Sequence, residues 1–315
     1  MSRWLMGAFV VAALAVAVAA VAAGAKVSGI NGRIAFEQED PASPGDTFVF
    51  TANPDGSHAQ KLLPSHACCE AWSPDGNKIA IPASTHDGRI SSATVNPDGS
   101  DKKVRAIPDP TLNLGCTTWS PNERHFACEG WDEVHPKRRA GIFIVRTADF
   151  GNRVRLTTNP YGGHDLPSDY SPDGTRVAFW REDPARHERR ALFVVPLSGG
   201  PAKRISGWQS SESNSASWSP DGRWILTDNG QGTIYVLHPD GTHRHPIRLH
   251  VGSRAVAFDP GWSPDGTKIV FALFTPTGPR SGHEAIYTAN TDGSNVTSTG
   301  LQGGTEDWGP YPITP

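Results

Sequence analysis

Side chains that could bind a metal or a polar ligand recur six residues before an aromatic residue that repeats along the chain. The residues at this offset are His66, Asn113, His164, Glu212, Val256 and Gln302. Imidazoles and a carboxylate arranged around one axis can hold a divalent metal, which can polarise a substrate or activate water. Neighbouring offsets add further polar residues, namely Asp165, Asn214, Asp259 and Glu306.

The alternative is a water-filled channel whose polar walls satisfy one another. We favour it because opposite copies would hold His66 and His164 too far apart to share one metal. We therefore predict no cofactor, with a divalent metal in the channel as the alternative, and we assign no catalytic residue. The candidates for binding at the channel mouth are His66, Asn113, His164, Asp165, Glu212, Asn214 and Glu306.

Two other groups of residues could bind a ligand or a partner, although solvated surface is the simpler interpretation of both. Four histidines cluster in one repeat, and His243 and His245 would project from the same face of a strand. The loops around 135–139 and 186–190 are rich in arginine, which together with nearby aromatic residues suits a protein contact. These groups are His238, His243, His245 and His250, and the basic runs 137–139 and 186–190.

The repeated aromatic residue belongs to the motif Trp/Tyr-Ser-Pro-Asp-Gly. Pro fixes φ at the first turn position, Asp bonds its own backbone and Gly accepts a positive φ, so each copy predicts a strand, a tight turn and a second strand. The copies begin at Trp72, Trp119, Tyr170, Trp218, Trp262 and, in degenerate form, Trp308, with spacings of 44 to 51 residues.

A second family of turns lies between these copies, as in Asn53-Pro-Asp-Gly56 and His238-Pro-Asp-Gly241. Two hairpins per repeat give four strands, and six such repeats predict an all-β, six-bladed β-propeller with antiparallel four-stranded blades. The segment from Asn31 to Phe36 has only the second half of the motif, and Glu306 to Pro310 has only the first. We expect these N- and C-terminal strands to pair and close the ring, which protects two free edges.

These repeats resemble the WD40-like Pro-Asp (PD40) repeat of the TolB propeller family over residues 31–312. The resemblance implies the propeller fold and an extracytoplasmic protein. TolB itself is periplasmic and meets other envelope components through an α/β domain that precedes its propeller. We expect no such domain here and do not carry that role over. Similar repeats precede the hydrolase domain of prolyl-oligopeptidase-like enzymes, but the sequence has no Gly-x-Ser-x-Gly nucleophile motif.

Composition excludes several classes of protein. The 315 residues include 33 Gly and 27 Pro, which excludes a helical bundle, and the formal net charge of −3 provides no basic surface for nucleic acid. The N-terminus has Arg3, an apolar run from Leu5 to Ala23 and an Ala-Gly-Ala site before Lys26. We predict a signal peptide over residues 1–25, with an uncleaved membrane anchor as the alternative, and a propeller over 26–315.

Four cysteines in an exported chain favour disulfides. Cys116 and Cys128 flank a predicted hairpin centred near Asn122 and would face each other, so this pairing is the first choice. It leaves the neighbours Cys68 and Cys69 to pair with each other, and the alternative scheme joins Cys69 to Cys116 and Cys68 to Cys128.

The predicted function is a monomeric, non-enzymatic binding module that recognises a protein or peptide partner in the cell envelope. The location is periplasmic, cell-surface or secreted, with membrane contact only through an uncleaved N-terminal segment. The alternative is a metal-assisted lyase or hydrolase that acts on an extracellular carbohydrate or peptide through the channel. The fold does not discriminate between them, because propellers host both classes.

Overall fold

A computed structural model describes residues 29–40, 47–64, 69–132, 134–135, 139–186, 189–209, 215–278 and 281–312. Its strands form six four-stranded antiparallel sheets, and a 3-10 turn, Pro184–Arg186, lies between two strands of the fourth of them. The six-bladed propeller expected from the repeats is therefore confirmed. No helix of these residues is long and apolar enough to cross a membrane. The predicted signal segment, residues 1–25, lies outside them.

Each blade is built from consecutive strands, except that the first blade also receives the last strand of the chain. Blade 1 contains β1 (Asn31–Glu39), β2 (Thr47–Ala52), β3 (Gln60–Pro64) and β24 (Gly304–Pro310); blade 2 contains β4 (Ala71–Trp72), β5 (Ile79–Ser84), β6 (Ile90–Val95) and β7 (Lys103–Val104); blade 3 contains β8 (Leu112–Trp119), β9 (His125–Asp132), β10 (Gly141–Arg146) and β11 (Val154–Arg155).

The other three blades follow the same order. Blade 4 contains β12 (Asp165–Tyr170), β13 (Arg176–Asp183), β14 (Arg189–Pro196) and β15 (Lys203–Arg204); blade 5 contains β16 (Ala216–Trp218), β17 (Ile225–Asp228), β18 (Ile234–Leu237) and β19 (His245–Pro246); blade 6 contains β20 (Val256–Trp262), β21 (Lys268–Gly278), β22 (Ser281–Asn290) and β23 (Thr297–Gln302).

The strand before each Ser-Pro-Asp-Gly turn is the innermost of its blade, as expected. These strands, β4, β8, β12, β16, β20 and β24, contact one another in a closed cycle. The ring closes where β24 pairs with β1, with Ile34 opposite Trp308 and Ala35 opposite Asp307. The predicted pairing of the N- and C-terminal strands is thus confirmed, and it covers the inner edge of β1.

The motif turns have the predicted geometry. In blade 6 the Gly266 amide donates to the Ser263 carbonyl at 2.9 Å, and Gly266 has a φ of +70°. Blade 3 has Glu123 at this position, also with a positive φ of 59°. Glu123 Oε1 accepts the Asp75 amide of blade 2 at 2.7 Å, so the exception adds a bond between blades. Burial and the nearby Asp75 raise the pKa of Glu123 to about 7.

The motif aromatics pack against the preceding blade, so their role is structural. Trp262, for example, lies in one apolar cluster with Leu226 and Ile234 of blade 5. Its indole N–H also donates to the Ser217 carbonyl of blade 5 at 3.1 Å. The same relation holds for Trp72, Trp119, Tyr170, Trp218 and Trp308, each of which shares a cluster with residues of the blade before it.

A disulfide joins Cys116 of β8 to Cys128 of β9, with their Cα atoms 4.2 Å apart. The two strands are the arms of the hairpin predicted around Asn122, so the first-choice pairing is confirmed for these two residues. It rules out the alternative scheme, which needs Cys116 and Cys128 for other partners. Cys68 lies outside the described residues.

Candidate functional site

The ring of residues predicted around the channel is only partly described. His66, Glu212 and Asn214 lie outside the described residues, and so does the side chain of Glu306. Val256 begins the innermost strand β20 as expected. Gln302 belongs instead to β23, the outermost strand of blade 6, because Gly303 alone separates β23 from β24. Counting six residues back from Trp308 therefore reaches the wrong strand.

Asn113 and Asp165 are fully buried. Asn113 Oδ1 accepts the backbone N–H of Ile90 at 2.7 Å, which ties blade 3 to blade 2. Asp165 makes a bidentate ion pair with Arg181 in which both bonds are 2.7 Å, and it also accepts the Thr157 hydroxyl at 2.6 Å. Both side chains are committed to bonds within and between blades and do not present free groups at the channel mouth.

His164 immediately precedes β12, the innermost strand of blade 4, and its side chain is 47% exposed. Its Nδ1 is 2.5 Å from Glu129 Oε1 of blade 3, and the Trp131 ring meets the imidazole edge-on with centroids 6.2 Å apart. The hydrogen bond to Glu129 raises the pKa of His164. Among the predicted candidates that the structure describes, His164 is therefore accessible to solvent and has a carboxylate partner.

No group of three or more His, Cys, Asp or Glu side chains among the described residues is placed to hold one metal ion. His164 and Asp165, which the metal hypothesis would combine, are separately engaged with Glu129 and Arg181. The remaining proposed ligands, His66, Glu212 and the side chain of Glu306, lie outside the described part of the chain.

An acidic cluster at the inner strands was largely missed by the sequence reasoning. Glu70, two residues before Trp72, is 4% exposed, and its two carboxyl oxygens make no hydrogen bond in the described structure. Burial raises the pKa of Glu70 well above its usual value, and repulsion from Glu37, Asp307 and Asp259 adds to this. In the sequence, this cluster was indicated by the acidic residues that lie one to three positions before several of the motif aromatics.

A second feature lies on one face of the ring, the face at which the innermost strands begin. We call it the mouth face. On blade 4, Tyr161 is 46% exposed and meets the Trp208 ring edge-on at 5.3 Å. The guanidinium groups of Arg186 and Arg204 lie 5.6 and 5.9 Å from the Trp208 ring centre. We call these four residues the blade 4 rim. It includes Arg186 from the arginine-rich loop identified in the sequence.

The other arginine-rich loop forms a cleft of about 600 Å³ on blade 3. Arg139 bonds both Asp109 and Asp132 there, at 2.6 and 3.1 Å. The bond from Arg139 lowers the pKa of Asp109 to about 2, and the His135 amide does most to lower that of Asp132 to about 2. The charges of this cleft are thus matched internally. Residues 136–138 of the loop lie outside the described residues.

Comparison with known proteins places the fold. No family model matches the chain. A TolB homolog of Chlorobium luteolum is 30% identical over 147 residues, which are 45% of this chain and 31% of the relative. A tricorn protease homolog of Streptomyces coelicolor is 40% identical over 65 residues, which are 20% of this chain and 6% of that one. The chain thus spans less than a third of either relative.

Solved structures agree with this likeness at the level of the fold. TolB from Acinetobacter baumannii superposes with a TM-score of 0.66 at 20% identity, covering 89% of this chain and 67% of that one. A putative TolB from Agrobacterium tumefaciens gives 0.62 at 19% identity, covering 89% and 99%. An oligogalacturonate lyase in complex with manganese gives 0.50 at 14% identity, covering 86% and 74%. The chain therefore has the fold of a TolB-like six-bladed β-propeller.

Proposed function

We propose that this protein is an extracytoplasmic, non-enzymatic binding module that holds a protein partner on its mouth face. The observation that carries this proposal is the blade 4 rim, where exposed Tyr161 and part-buried Trp208 lie between two arginines. Tyr, Trp and Arg are the residues most enriched among those that dominate the energy of protein interfaces.

The geometry of the rim suits a protein partner. Both guanidinium groups lie over the Trp208 ring, which orients them while leaving N–H donors for carboxylates or carbonyl oxygens of a partner. Arg189 is exposed at the start of β14, opposite Asp183 in the β13–β14 ladder, and adds positive charge. The acidic inner strands lie at the centre of the same ring, so a partner would meet opposite charges at the rim and the channel.

An extracytoplasmic location is supported by two observations. The apolar segment before residue 26 has the pattern of an export signal. The Cys116–Cys128 disulfide fits an oxidising compartment. The likeness to TolB agrees with both, and we propose a monomer that contacts a protein of the envelope.

The alternative, a metal-assisted lyase or hydrolase acting on an extracellular carbohydrate or peptide, is favoured by the His164–Glu129 pair. A carboxylate on Nδ1 orients an imidazole and leaves Nε2 to move a proton, as general acid–base catalysis requires. The likeness to an oligogalacturonate lyase concerns the fold alone and does not decide between the two functions.

The first test is site-specific photo-cross-linking in the native cell. A photoreactive amino acid at Tyr161 should give a discrete cross-linked protein, and the same residue at Arg124, exposed in the motif turn of blade 3 on the opposite face, should not. The double variant Arg186→Gln/Arg204→Gln should abolish the Tyr161 product, while Arg124→Gln/Arg223→Gln, with the same loss of charge, should preserve it.

Native mass spectrometry of the protein from its own envelope separates the two functions. A bare monomer or a complex with one protein supports the binding module. A stoichiometric metal or small ligand, together with no Tyr161 cross-link, would favour the enzyme and overturn our proposal.

A further inference from the structure

A cleft of about 470 Å³ lies between blades 5 and 6, on the face of the motif turns and therefore opposite the mouth face. We call it the blade 5–6 cleft. Two tryptophans, a histidine and two aspartates are its main chemical features. They are Trp224, Trp262, His245, Asp221 and Asp265.

The corresponding place between blades 4 and 5 is occupied by an arginine of the protein itself. The Arg176 guanidinium lies 4.8 Å from the ring centre of Trp218, the motif aromatic of the next blade. It also lies 3.7 Å from the carboxylate of Asp173 in its own turn. An indole face and an aspartate together hold a cation there, which is the arrangement expected for a cation–π contact supported by a carboxylate.

The blade 5–6 cleft keeps this indole and this carboxylate but lacks the cation. The residue six positions after the motif aromatic is Lys78, His125, Arg176 or Lys268 in the other complete copies, and it is Trp224 in blade 5. Trp224 packs against His238 and His245, with centroids 4.3 and 5.2 Å away. The side chain that would fill the cleft with positive charge has therefore been replaced by an aromatic wall.

The charge of the cleft is unbalanced. Asp221 and Asp265 each cap their turn by accepting from the preceding serine hydroxyl at 2.6 Å. Asp265 also accepts the Asn31 amide at 2.9 Å. Neither aspartate forms an ion pair with a lysine, arginine or histidine of the described residues. Two aromatic walls and two carboxylates without a cation are complementary to a positively charged group with a hydrocarbon stem.

The cleft between blades 3 and 4 provides an internal comparison. It is smaller, about 250 Å³, and it has His125 and Tyr170 in place of Trp224 and Trp262. Asn122 replaces Asp221, so that this cleft has one aspartate, Asp173, where the blade 5–6 cleft has two. Both the aromatic area and the number of carboxylates are therefore greater in the blade 5–6 cleft than in the blade 3–4 cleft.

We propose that the blade 5–6 cleft is a second binding site, which takes a guanidinium or ammonium group on a hydrocarbon stem. The cation lies within the cleft, against the part-exposed Trp224 ring and beside Asp221. The site is independent of the mouth face and of the partner proposed there. Its ligand is either a free alkylamine or guanidine or the arginine or lysine side chain of a peptide.

The experiment is calorimetric titration of the full protein with agmatine, with N-acetyl-Gly-Arg-Gly-amide and with neutral N-butylurea, which keeps the planar head group without the charge. Agmatine or the peptide should bind at least tenfold more tightly than butylurea. Tighter binding of agmatine identifies a free small molecule as the ligand, and tighter binding of the peptide identifies a peptide side chain. Adding salt should weaken the binding of the charged probes.

Two variants test the place of the cation. Trp224→Arg restores the residue type of blade 4 and should reduce the affinity for agmatine at least tenfold, because the protein then fills its own cleft. Asp221→Asn copies the blade 3 turn, which already has Asn122, and should reduce it several-fold without disturbing the turn. His125→Ala, in the blade 3–4 cleft, is the matched control and should leave the affinity unchanged.

Equal binding of butylurea and agmatine would overturn the proposal, since the cleft would then be merely apolar. The proposal would also be overturned if His125→Ala reduced the affinity for agmatine as much as Asp221→Asn does. Failure here leaves the cross-linking at Tyr161 unaffected, so the two proposals are tested separately.

Discussion

Two buried carboxyl groups near the inner strands differ in whether a positive charge compensates them. Asp165 is matched by Arg181 through two hydrogen bonds, whereas Glu70 has no such partner and faces other acids. A buried charge is tolerated when it is paired and costly when it is not. The first is therefore expected to act as a structural ion pair, and the second as a carboxyl held in its neutral form.

Glu70→Gln should make the protein more stable at pH 8 while changing little at pH 4. The folded pKa of Glu70 is raised by burial, so the stability that its neutral form contributes is complete below the unfolded pKa of about 4.3 and is lost as pH rises towards the folded value. Gln cannot ionise and escapes this loss, for an expected gain of at least about 1 kcal/mol. Urea unfolding at the two pH values measures it.

The control for Glu70 is Glu39→Gln, because Glu39 is exposed at the end of β1. It should change the unfolding free energy little at either pH. A Glu70→Gln variant no more stable than the wild type at pH 8 would show that the carboxyl is not held neutral in the folded protein.

Asp165→Asn should destabilise the protein by about 3–5 kcal/mol, because it leaves the buried Arg181 guanidinium without its counter-charge. Adding Arg181→Met removes that unpaired charge and should recover part of the loss. His164→Ala, which changes the half-exposed neighbour of Asp165 in the chain, should destabilise the protein far less. Thermal unfolding compares the three. A stable Asp165→Asn protein would instead support a ligand-binding role for this residue.

At the scale of strands and turns, the motif joins blades as well as building them. The Asp307 carboxylate of β24 accepts the Trp72 amide of β4 at 2.8 Å, and Asp169 of β12 does the same for Trp218 of β16. Together with the motif indoles, these bonds connect successive innermost strands. The blades are thus linked close to the channel, where their strands approach most closely.

The β8–β9 hairpin has an additional covalent link, and its removal has a measurable cost. Replacing both Cys116 and Cys128 by serine should lower the unfolding free energy by about 3 kcal/mol, as expected for a disulfide that closes a short loop. The hairpin should persist, since its register has backbone pairs on both sides of the bond. A reductant should lower the melting temperature of the wild type more than that of the variant, in which the disulfide of Cys69 remains. Equal stability of both proteins would contradict this.

At the scale of the whole molecule, stability depends on ring closure by β24. This strand pairs with β1, contacts β4 and β20, and contributes Trp308 to the cluster between blades 6 and 1. Deleting the chain from Gly304 onward should therefore abolish cooperative unfolding, because it exposes the edge of β1 and removes that cluster. Circular dichroism during denaturation provides the measurement.

A circular permutant separates closure from chain order. The Tyr311 amide donates to the Ile30 carbonyl at 2.9 Å, so a short linker can join the two ends of the ring. New termini at Gly88, in an exposed turn with no neighbouring atom within 4 Å of a Cβ at that position, should be tolerated. This permutant should fold cooperatively. If it fails while the Gly304 deletion folds, closure by β24 is not what stabilises the ring.

The amino-acid sequence by itself determined the six blades, their four strands, the closure by β1 and β24, and the Cys116–Cys128 pair. These features depend on short-range rules, since Pro, Asp and Gly specify turns locally and six copies of the motif at similar spacings specify the ring. None of these inferences required knowing which way an individual side chain points.

The placement of polar side chains was decided by the tertiary structure. Innermost strands β8, β12 and β20 each contain a register shift, between Gly115 and Thr118, Pro167 and Asp169, and Phe258 and Gly261. One extra residue in a strand reverses which face the following side chains occupy, so a fixed offset from the aromatic does not select one wall of the channel. Hence Asn113 and Asp165 are buried. The unpaired Glu70 and the cation-free cleft beside Trp224 arise from contacts between blades, which the order of residues within a repeat does not specify.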